Sequence, residues 1–378
     1  MTAAGRIRVL IVDDSAVMRS LLRSVILSDP ALEVAGTAAN GASALDCLKL
    51  QQPDLVILDV EMPVMDGLVT LRELRARKYT MPVIMCSSLT QRGARVTIEA
   101  LAGGASDYVA KPTGQDGREA ATRALAAELL PKIHALTSHL APRPALAAAP
   151  RTVLPMPPAP PQLAPHVPAK PVVLAIGVST GGPAALDILL PGLPAGFPLP
   201  ILIVQHMPEV FTRLLAERLS RRCALRVCEA AEGMPATAGC VYIARGNWHL
   251  EALPAARPGA PATMHLTQDP PENHCRPSVD TLFRSTARVY GSGVLAVVLT
   301  GMGYDGLAGS RVVRAQGGSV LAQDQATSAV WGMPGAVAQA GLAYKVLPLC
   351  AIAPEILRVA SLAAASPAEV RSPRRMVV

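Results

Sequence analysis

The stretch VVLAIGVSTGGP, residues 172–183, joins the pattern of a buried strand to the start of a helix through a glycine-rich turn. Its first part, Val172–Val178, is an apolar, β-branched run of strand length. Pro183 directly follows the turn, and proline is favoured at the first position of a helix. A strand that leads through a tight turn into a helix is the repeating unit of a parallel α/β sheet.

The same alternation of strand and helix patterns runs along most of the chain. In the first half the predicted strands are Val9–Val12, Leu55–Leu58 and Val83–Cys86, and the predicted helices are Ala16–Leu27, Ala42–Leu50, Val96–Ala102 and Glu119–His139. In the second half the further strands are Ile201–Gln205, Val241–Ala244, Val294–Leu299 and Ser319–Ala322, and the helices are Pro183–Leu190, Val210–Arg221, Val279–Tyr290, Leu307–Ala315 and Pro354–Leu362. These patterns predict an α/β fold with two doubly wound parallel-sheet domains.

A proline-rich segment separates the two α/β regions. We predict a first domain over residues 1–140, a linker over 141–171, a second domain over 172–365 and a disordered basic tail over 366–378. The linker is mostly proline and alanine, which lack the amide donors and the apolar periodicity of a packed element. We therefore favour a semi-stiff spacer over a proline-motif docking site.

Composition narrows the function classes. Apolar residues make up 51% of the 378 residues and aromatic residues only 3%, which favours helices packed on parallel sheets over an aromatic-rich β-sandwich. The formal net charge is +7, but no basic helix carries interleaved aromatic residues, so we expect no nucleic-acid binding. No apolar run reaches the roughly 20 residues of a membrane span, and the N-terminus has no signal-peptide pattern. We expect a cytoplasmic monomer without direct membrane insertion.

The seven cysteines are scattered along the chain, and several lie inside apolar strand patterns. A thiol in such a position behaves as a small apolar group. No Cys-x-x-Cys pair indicates a zinc or redox site. The cysteines therefore indicate no function by their spacing.

Acidic residues and a lysine follow successive strands of the first domain. Asp13 and Asp14 follow the first strand, Asp59 ends the third, Ser87 ends the fourth, and Lys111 lies near the fifth. The carboxyl ends of parallel strands meet at one edge of a sheet, where ligand chemistry is located. Clustered carboxylates there favour a hard cation such as Mg²⁺. The pattern predicts that Asp59 accepts a phosphoryl group and that Ser87 and Lys111 support the phosphate, rather than an acidic loop that only solvates the strand ends.

This segment resembles the response-regulator receiver domain. The matching pieces are IVDDS at 11–15, LDVEMPVMDG at 58–67, CSS at 86–88 and YVAKP at 108–112. The resemblance implies a flavodoxin-like domain, phosphorylation of Asp59 by a histidine kinase, and a cis peptide bond between Lys111 and Pro112. It also implies Mg²⁺ bound by Asp14, Asp59 and the backbone carbonyl of Glu61, with Asp13 acting mainly through water.

The serine turn of the second domain has two interpretations. A glycine-rich strand-to-helix turn can bind phosphate, but Ser179 occupies the second glycine of the dinucleotide pattern. The pattern Gly-x-Ser-x-Gly fits a nucleophile elbow. A serine nucleophile needs a base and an orienting carboxylate, and His206 and Asp305 each follow another predicted strand. Their order along the chain, Ser-His-Asp, differs from that of ordinary α/β-hydrolases.

The second domain resembles the catalytic domain of chemotaxis protein-glutamate methylesterases, through the strings GVSTGGP, QHMP, RPSVD, LTGMGYDG and WGMP. The resemblance implies a Rossmann-like domain that hydrolyses glutamate γ-methyl esters of chemoreceptors, releases methanol and deamidates specific glutamines, with no cofactor for hydrolysis. It implies Ser179 as nucleophile, His206 as base and Asp305 as its orienting carboxylate. The Met302 backbone amide would donate to the oxyanion, and Thr180 would support the triad.

Two positions depart from the family pattern, and neither lies in the implied triad. Cys275 stands where enteric members have histidine, and Arg245 replaces a proline. The hypothesis is a methylesterase in which the unphosphorylated receiver covers the serine cleft. Two alternatives remain open: a response regulator whose second domain only binds a partner, and a serine esterase for small metabolites.

Overall fold

The computed structural model describes residues 6–88, 90–112, 117–138, 170–255, 257 and 259–361. They form two parallel α/β domains, which confirms the predicted fold class. The predicted tail over 366–378, and all but the end of the predicted linker over 141–171, lie outside the described residues. The boundaries between the four predicted segments therefore stay predictions.

The first domain is a five-stranded sheet with strand order β2-β1-β3-β4-β5, and every neighbouring pair is parallel. This is the flavodoxin-like order. The strands are β1 Ile7–Val12, β2 Leu32–Ala38, β3 Leu55–Asp59, β4 Val83–Ser87 and β5 Asp107–Ala110. The helices are α1 Ala16–Leu27, α2 Gly41–Gln51, α3 Gly67–Ala76, α4 Gln91–Ala102 and α5 Gly117–Thr137.

The second domain is a seven-stranded parallel sheet with a two-stranded antiparallel ribbon beside it. Its strands are β6 Val173–Val178, β7 Ile201–Gln205, β8 Arg226–Glu229, β9 Cys240–Ile243, β10 His249–Leu253, β11 Thr263–Thr267, β12 Val294–Val298, β13 Ser319–Gln323 and β14 Lys345–Leu347. Its helices are α6 Gly182–Leu189, α7 Glu209–Ser220, α8 Val279–Tyr290, α9 Leu307–Ala315, α10 Met333–Gln339 and α11 Leu349–Ser361. The sheet order is β14-β13-β12-β6-β7-β9-β8, and the ribbon is β10-β11.

Strand register brings the serine turn and the histidine together. Val178 at the end of β6 pairs with Gln205 at the end of β7, so the next residue of each strand lies at the same sheet edge. The His206 amide donates to the Val178 carbonyl over 3.2 Å, and the Ser179 amide donates to the Thr300 carbonyl over 3.0 Å. Thr300 follows β12, so three strands contribute to this edge.

The two domains pack against each other through α4 and β5. Helix α4 contacts α6 and α7 of the second domain, and one apolar cluster continues from the first domain into the second. The ring of Tyr108 stacks on that of Phe211, with centroids 4.6 Å apart. Leu101 of α4 belongs to this shared cluster.

Candidate active site and phosphorylation site

The acidic residues of the first domain gather as predicted. Carboxylate oxygens of Asp13, Asp14 and Asp59 lie within 4.8 Å of one another. The Lys111 ammonium lies 2.8 Å from Asp13 Oδ2 and 2.7 Å from Asp59 Oδ2. Ser87 ends β4 and is buried, and its hydroxyl donates to the Ser88 carbonyl over 3.1 Å.

The electrostatics of this cluster favour an added cation. Burial raises the pKa of Asp59 to about 6 against the hydrogen bond from Lys111, and the nearby charge of Asp13 raises this pKa further. Burial would lower the pKa of Lys111, but its bonds to the two carboxylates raise it overall. Three carboxylates whose oxygens lie within 4.8 Å of one another are the kind of donor set that Mg²⁺ prefers, so the residues fit this ion.

The resemblance to the receiver domain also implied a metal-binding role for the Glu61 carbonyl and a cis bond after Lys111. The Glu61 side chain is exposed and lies 3.3 Å from Arg92 Nε, and the metal-binding role of its carbonyl stays a prediction. The implied cis bond between Lys111 and Pro112 is wrong, because the cis bond among the described residues is Arg276–Pro277. The Lys111 side chain reaches both carboxylates with the bond in the trans form.

The serine turn is shaped by its glycines. Gly181 has a φ of +77°, which a glycine adopts without steric cost. A Cβ on Gly182 would lie 1.9 Å from Gln205 Oε1, so a side chain there would displace this buried glutamine. Gln205 Nε2 in turn donates to the Ser179 carbonyl over 3.0 Å. The turn is thus tied to the end of β7, next to His206.

His206 and Asp305 form a buried pair. His206 Nε2 lies 2.8 Å from Asp305 Oδ2. Burial alone would raise the pKa of Asp305, but the bond to His206 and backbone amides hold it below its ordinary value. Burial likewise would lower the pKa of His206, but the bonds to Asp305 and Cys275 raise it to about 9. The pair therefore favours an ionised carboxylate and a strongly basic imidazole.

Asp305 is held by donors that the sequence did not single out. Ser278 Oγ donates to Oδ1 over 2.8 Å and Asn273 Nδ2 over 3.0 Å. Backbone amides complete the set: Val279 to Oδ2, and Asp280 and Gly306 to Oδ1. In the sequence, the segment before α8 could have indicated these donors. Ser278 lies at the N-cap position of that helix, where free backbone amides favour an anion.

The predicted catalytic residues line one cavity of about 890 Å³, but not all of them touch. Ser179, His206 and Asp305 contribute to its wall together with Met302. Within the described residues, Ser179 Oγ makes no hydrogen bond to His206. Its neighbour Thr180 donates to Asp107 Oδ2 of the first domain over 2.6 Å, and among the described residues no hydrogen bond joins its side chain to His206 or Asp305. The structure thus places all the predicted residues at one site and leaves the serine hydroxyl free.

The backbone amide of Met302 is also free, since it donates no hydrogen bond to any residue that the structure describes. Met302 is partly exposed in the cavity wall. The two departures from the family pattern lie close by: Cys275 Sγ is 3.6 Å from His206 Nδ1, and Arg245 pairs with Glu209.

The first domain closes one side of this cavity. Asp107, Tyr108 and residues of α5, among them Glu128 and Lys132, line it opposite the serine turn. Lys132 Nζ lies 4.9 Å from the centroid of the Tyr108 ring and 2.9 Å from Glu128 Oε1. The cavity therefore lies between the domains.

Fold and site define a response regulator whose receiver domain is coupled to an α/β domain with a serine, a histidine and an aspartate at neighbouring strand ends. Family models agree with this class: "Response regulator receiver domain" matches residues 9–122 and "CheB methylesterase" matches residues 174–356.

Relatives match over nearly the whole chain. The protein-glutamate methylesterase/protein-glutamine glutaminase of a Nocardioides strain is 50% identical over 93% of this chain and 95% of its own length. The protein of the same name from Trichodesmium erythraeum is 46% identical over 93% of this chain and 99% of its own length. The solved catalytic domain of Thermotoga maritima CheB methylesterase is 41% identical, with a TM-score of 0.48 over 50% of this chain and all of that one.

The chain therefore belongs to the protein-glutamate methylesterase/protein-glutamine glutaminase family. None of the helices that the structure describes is long and apolar enough to cross a bilayer.

Proposed function

We propose that this protein hydrolyses glutamate γ-methyl esters on chemoreceptors, deamidates specific receptor glutamines, and is activated when a histidine kinase phosphorylates Asp59. The observation that carries the proposal is the 2.8 Å pair of His206 and Asp305 beside Ser179, in one cavity of a methylesterase-family chain. No step of the hydrolysis needs a cofactor. Action on the cytoplasmic part of a receptor requires a cytoplasmic enzyme, and we propose that it acts as a monomer.

The hydrogen bonds assign the base to one nitrogen. Because Nε2 of His206 is taken by Asp305, Nδ1 accepts the proton of Ser179 as its oxygen attacks the ester carbonyl. His206 returns this proton to the departing methoxide, which leaves as methanol, and the glutamyl group stays esterified to Ser179. Water then attacks this ester with the same base, and glutamate and the serine are freed. For a glutamine substrate the leaving group is ammonia.

Charge develops on the carbonyl oxygen in both steps. The free amide of Met302 is the donor for this oxyanion, an interaction worth roughly 3 kcal/mol per donor. Asp305 stabilises the imidazolium without accepting a proton, since its many donors keep it ionised. Thr180 is bound to Asp107 in this arrangement, so any support that it gives to the triad requires the domains to separate. A serine–histidine bond that is absent before substrate binds is compatible with catalysis, because such bonds often form only in the complex.

Domain closure provides the regulation. The receiver covers the cavity through Asp107 and Tyr108, which lie in β5 directly before Lys111. Phosphorylation of Asp59 would engage Lys111 and Ser87, at the ends of β5 and β4, with the phosphoryl oxygens. Mg²⁺ held by the carboxylates of Asp13, Asp14 and Asp59 would neutralise charge there. The resulting displacement of β5 would then weaken its contacts with Thr180 and Phe211.

The experiment measures methanol released from purified, methylated receptor by the full chain, with and without a small-molecule phosphodonor. We expect faster release with phosphodonor, no release by S179A, and a loss of the phosphodonor effect in D59N. Retained receptor signalling in S179A without methanol release would support a binding module instead. Hydrolysis of generic acyl esters but not of methylated receptor would support a metabolite esterase.

A further inference from the structure

The thiol of Cys275 lies beside the His206 ring, near the nitrogen that is not bonded to Asp305. Cys275 Sγ is 3.6 Å from His206 Nδ1, and the side chain is half-buried in the cavity wall. Ligand atoms of Cys275, His206 and Asp305 lie within 4.8 Å of one another. Sulfur, nitrogen and carboxylate donors at such spacing could hold a metal ion, and the Cys275 thiol has no part in the proposed hydrolysis.

We propose that Cys275 and His206 bind Zn²⁺ and that this ion inhibits the enzyme. A zinc–sulfur bond of about 2.3 Å and a zinc–nitrogen bond of about 2.0 Å, at a tetrahedral angle, place the two ligand atoms about 3.5 Å apart. The observed separation of Sγ and Nδ1 is 3.6 Å. The separation of the two ligand atoms therefore matches that expected for a shared zinc ion.

The hydrogen bond to Asp305 orients the His206 ring as a metal ligand requires. A histidine that binds a metal commonly donates its other ring N–H to a carboxylate, which fixes the tautomer and the ring orientation. Asp305 accepts from Nε2 over 2.8 Å, so Nδ1, which lies 3.6 Å from Cys275 Sγ, is the ring nitrogen left for a metal. Asp305 is itself fixed by Ser278 and Asn273.

Binding would be reversible and would compete with catalysis. Zinc displaces the proton of the Cys275 thiol and, where His206 is protonated, the proton on Nδ1; both are released to solvent as bonds to Sγ and Nδ1 form. With two protein ligands, water fills the remaining positions, so the site is weaker than a structural zinc site. The inhibition rests on the proposed function, because Nδ1 is the nitrogen that accepts the Ser179 proton. The binding itself does not depend on that function.

Direct binding is tested with Co²⁺ as a spectroscopic substitute for Zn²⁺ on the full chain, after removal of metals. Wild type is compared with C275S and with C350S, which removes an exposed thiol elsewhere in α11. With excess Mg²⁺ present to occupy the carboxylates of the receiver, we expect wild type and C350S to bind Co²⁺ with a thiolate-to-metal charge-transfer band that Zn²⁺ abolishes. C275S should lose this band and bind Co²⁺ about tenfold more weakly or worse, as for the loss of a supporting ligand interaction. An unchanged band and affinity in C275S, or no band in wild type, would overturn the proposal.

Inhibition is tested separately by ester hydrolysis. Zn²⁺ should inhibit wild type and C350S, with recovery after EDTA is added, and C275S should resist Zn²⁺ concentrations that halve the wild-type rate. Equal zinc sensitivity of C275S and wild type would overturn the inhibitory role. If no variant hydrolyses the ester while the charge-transfer band depends on Cys275, the proposed function fails and the metal site stands.

Discussion

At the scale of single residues, the Asp305 carboxylate is surrounded by hydrogen-bond donors. Its two oxygens accept from side chains and backbone amides and from His206, so each position around it is occupied by a donor. An asparagine would point an NH₂ group at some of these donors. We predict that D305N lowers the rate of ester hydrolysis by about 10³ to 10⁴-fold, because the His206 tautomer is no longer fixed. The measurement is kcat with phosphodonor present, and D269N, at an exposed position, is the control. A D305N enzyme within tenfold of wild type would contradict the assignment.

His206 sets the pH dependence. Its pKa is raised to about 9, since the bonds to Asp305 and Cys275 outweigh the opposing effect of burial. Only the neutral imidazole accepts a proton, so below this pKa most of the enzyme carries an inactive, protonated base. We predict that kcat rises with pH between neutral and the pKa and levels off above it.

The pH profile of a C275A variant provides a comparison for this prediction. C275A removes the thiol contact that raises the pKa, so its rising limb should lie at lower pH than that of wild type. Both proteins are measured in metal-free buffer with phosphodonor, so that any pH effect on phosphorylation cancels between them. Superimposable profiles would show that Cys275 does not affect the base.

The residues of the site were predictable to different degrees. Ser179, His206 and Asp305 follow apolar strands, so their common edge could be inferred from strand ends alone. The donors that fix Asp305 could not, because Asn273 lies 32 residues before it in an irregular segment without periodicity. The bond from Thr180 to Asp107 spans 73 residues and two domains, and no local pattern indicates it.

At the scale of elements, the central strands were predicted and the edge strands were missed. β6, β7 and β12 are buried along their whole length and read as continuous apolar runs. β2, at the edge of its sheet, is largely half-exposed and contains the polar residues of a solvent-facing strand. The ribbon β10-β11 lies outside the main sheet; β10 is mostly buried but includes His249 and Glu251, and β11 is largely half-exposed, so neither is a continuous apolar run.

Among the helices, α3 and α10 were not predicted, and the starts of two others were misplaced. Helix α4 begins at Gln91, five residues before the predicted Val96, because the Thr90 side chain caps it by accepting from the Gly93 amide. Apolar periodicity begins only later in this helix. Helix α11 begins at Leu349, and Pro354 lies inside it rather than at its start.

The junction of β6 and α6 yields a prediction at this scale. A Cβ on Gly182 would lie 1.9 Å from Gln205 Oε1 and 2.8 Å from Val178 Cγ2, both buried. We predict that G182A lowers the free energy of unfolding by about 1–3 kcal/mol, the usual cost of overpacking. It should also lower kcat, because Gln205 holds the Ser179 carbonyl. Urea denaturation measures the first effect, and the control is G196A, whose Cβ would have no neighbour within 4 Å. Equal stability of the two variants would contradict this account of the turn.

At the scale of the whole molecule, one interface between the domains connects the candidate phosphorylation site with the candidate hydrolytic site. The strand β5 carries Asp107 and Tyr108 into the cavity of the second domain and ends beside Lys111, which contacts Asp59. Two separately predicted sites are thus joined by a single short strand. The order of motifs along the chain indicated both domains, but their relative placement depends on side-chain contacts between surfaces, which a sequence pattern does not encode.

The stacked rings of Tyr108 and Phe211 allow a test of domain closure that leaves the triad intact. Their centroids are 4.6 Å apart with an interplanar angle of 22°, and Phe211 is fully buried in α7. Such a pair contributes about 0.5–1.5 kcal/mol beyond its burial, so we predict that F211L raises unphosphorylated activity about twofold to tenfold. The rate with phosphodonor should change little, because the open form no longer uses this contact.

F197L is the matched control for that variant, because it removes another fully buried ring of the second domain, in the loop before β7. It should leave the ratio of phosphorylated to unphosphorylated activity unchanged. Methanol release from methylated receptor, measured with and without phosphodonor, gives this ratio for each protein. If F211L keeps the wild-type ratio while its stability matches that of F197L, the aromatic contact does not hold the domains closed, and the regulation must act through another part of the interface, such as α4 against α6 and α7.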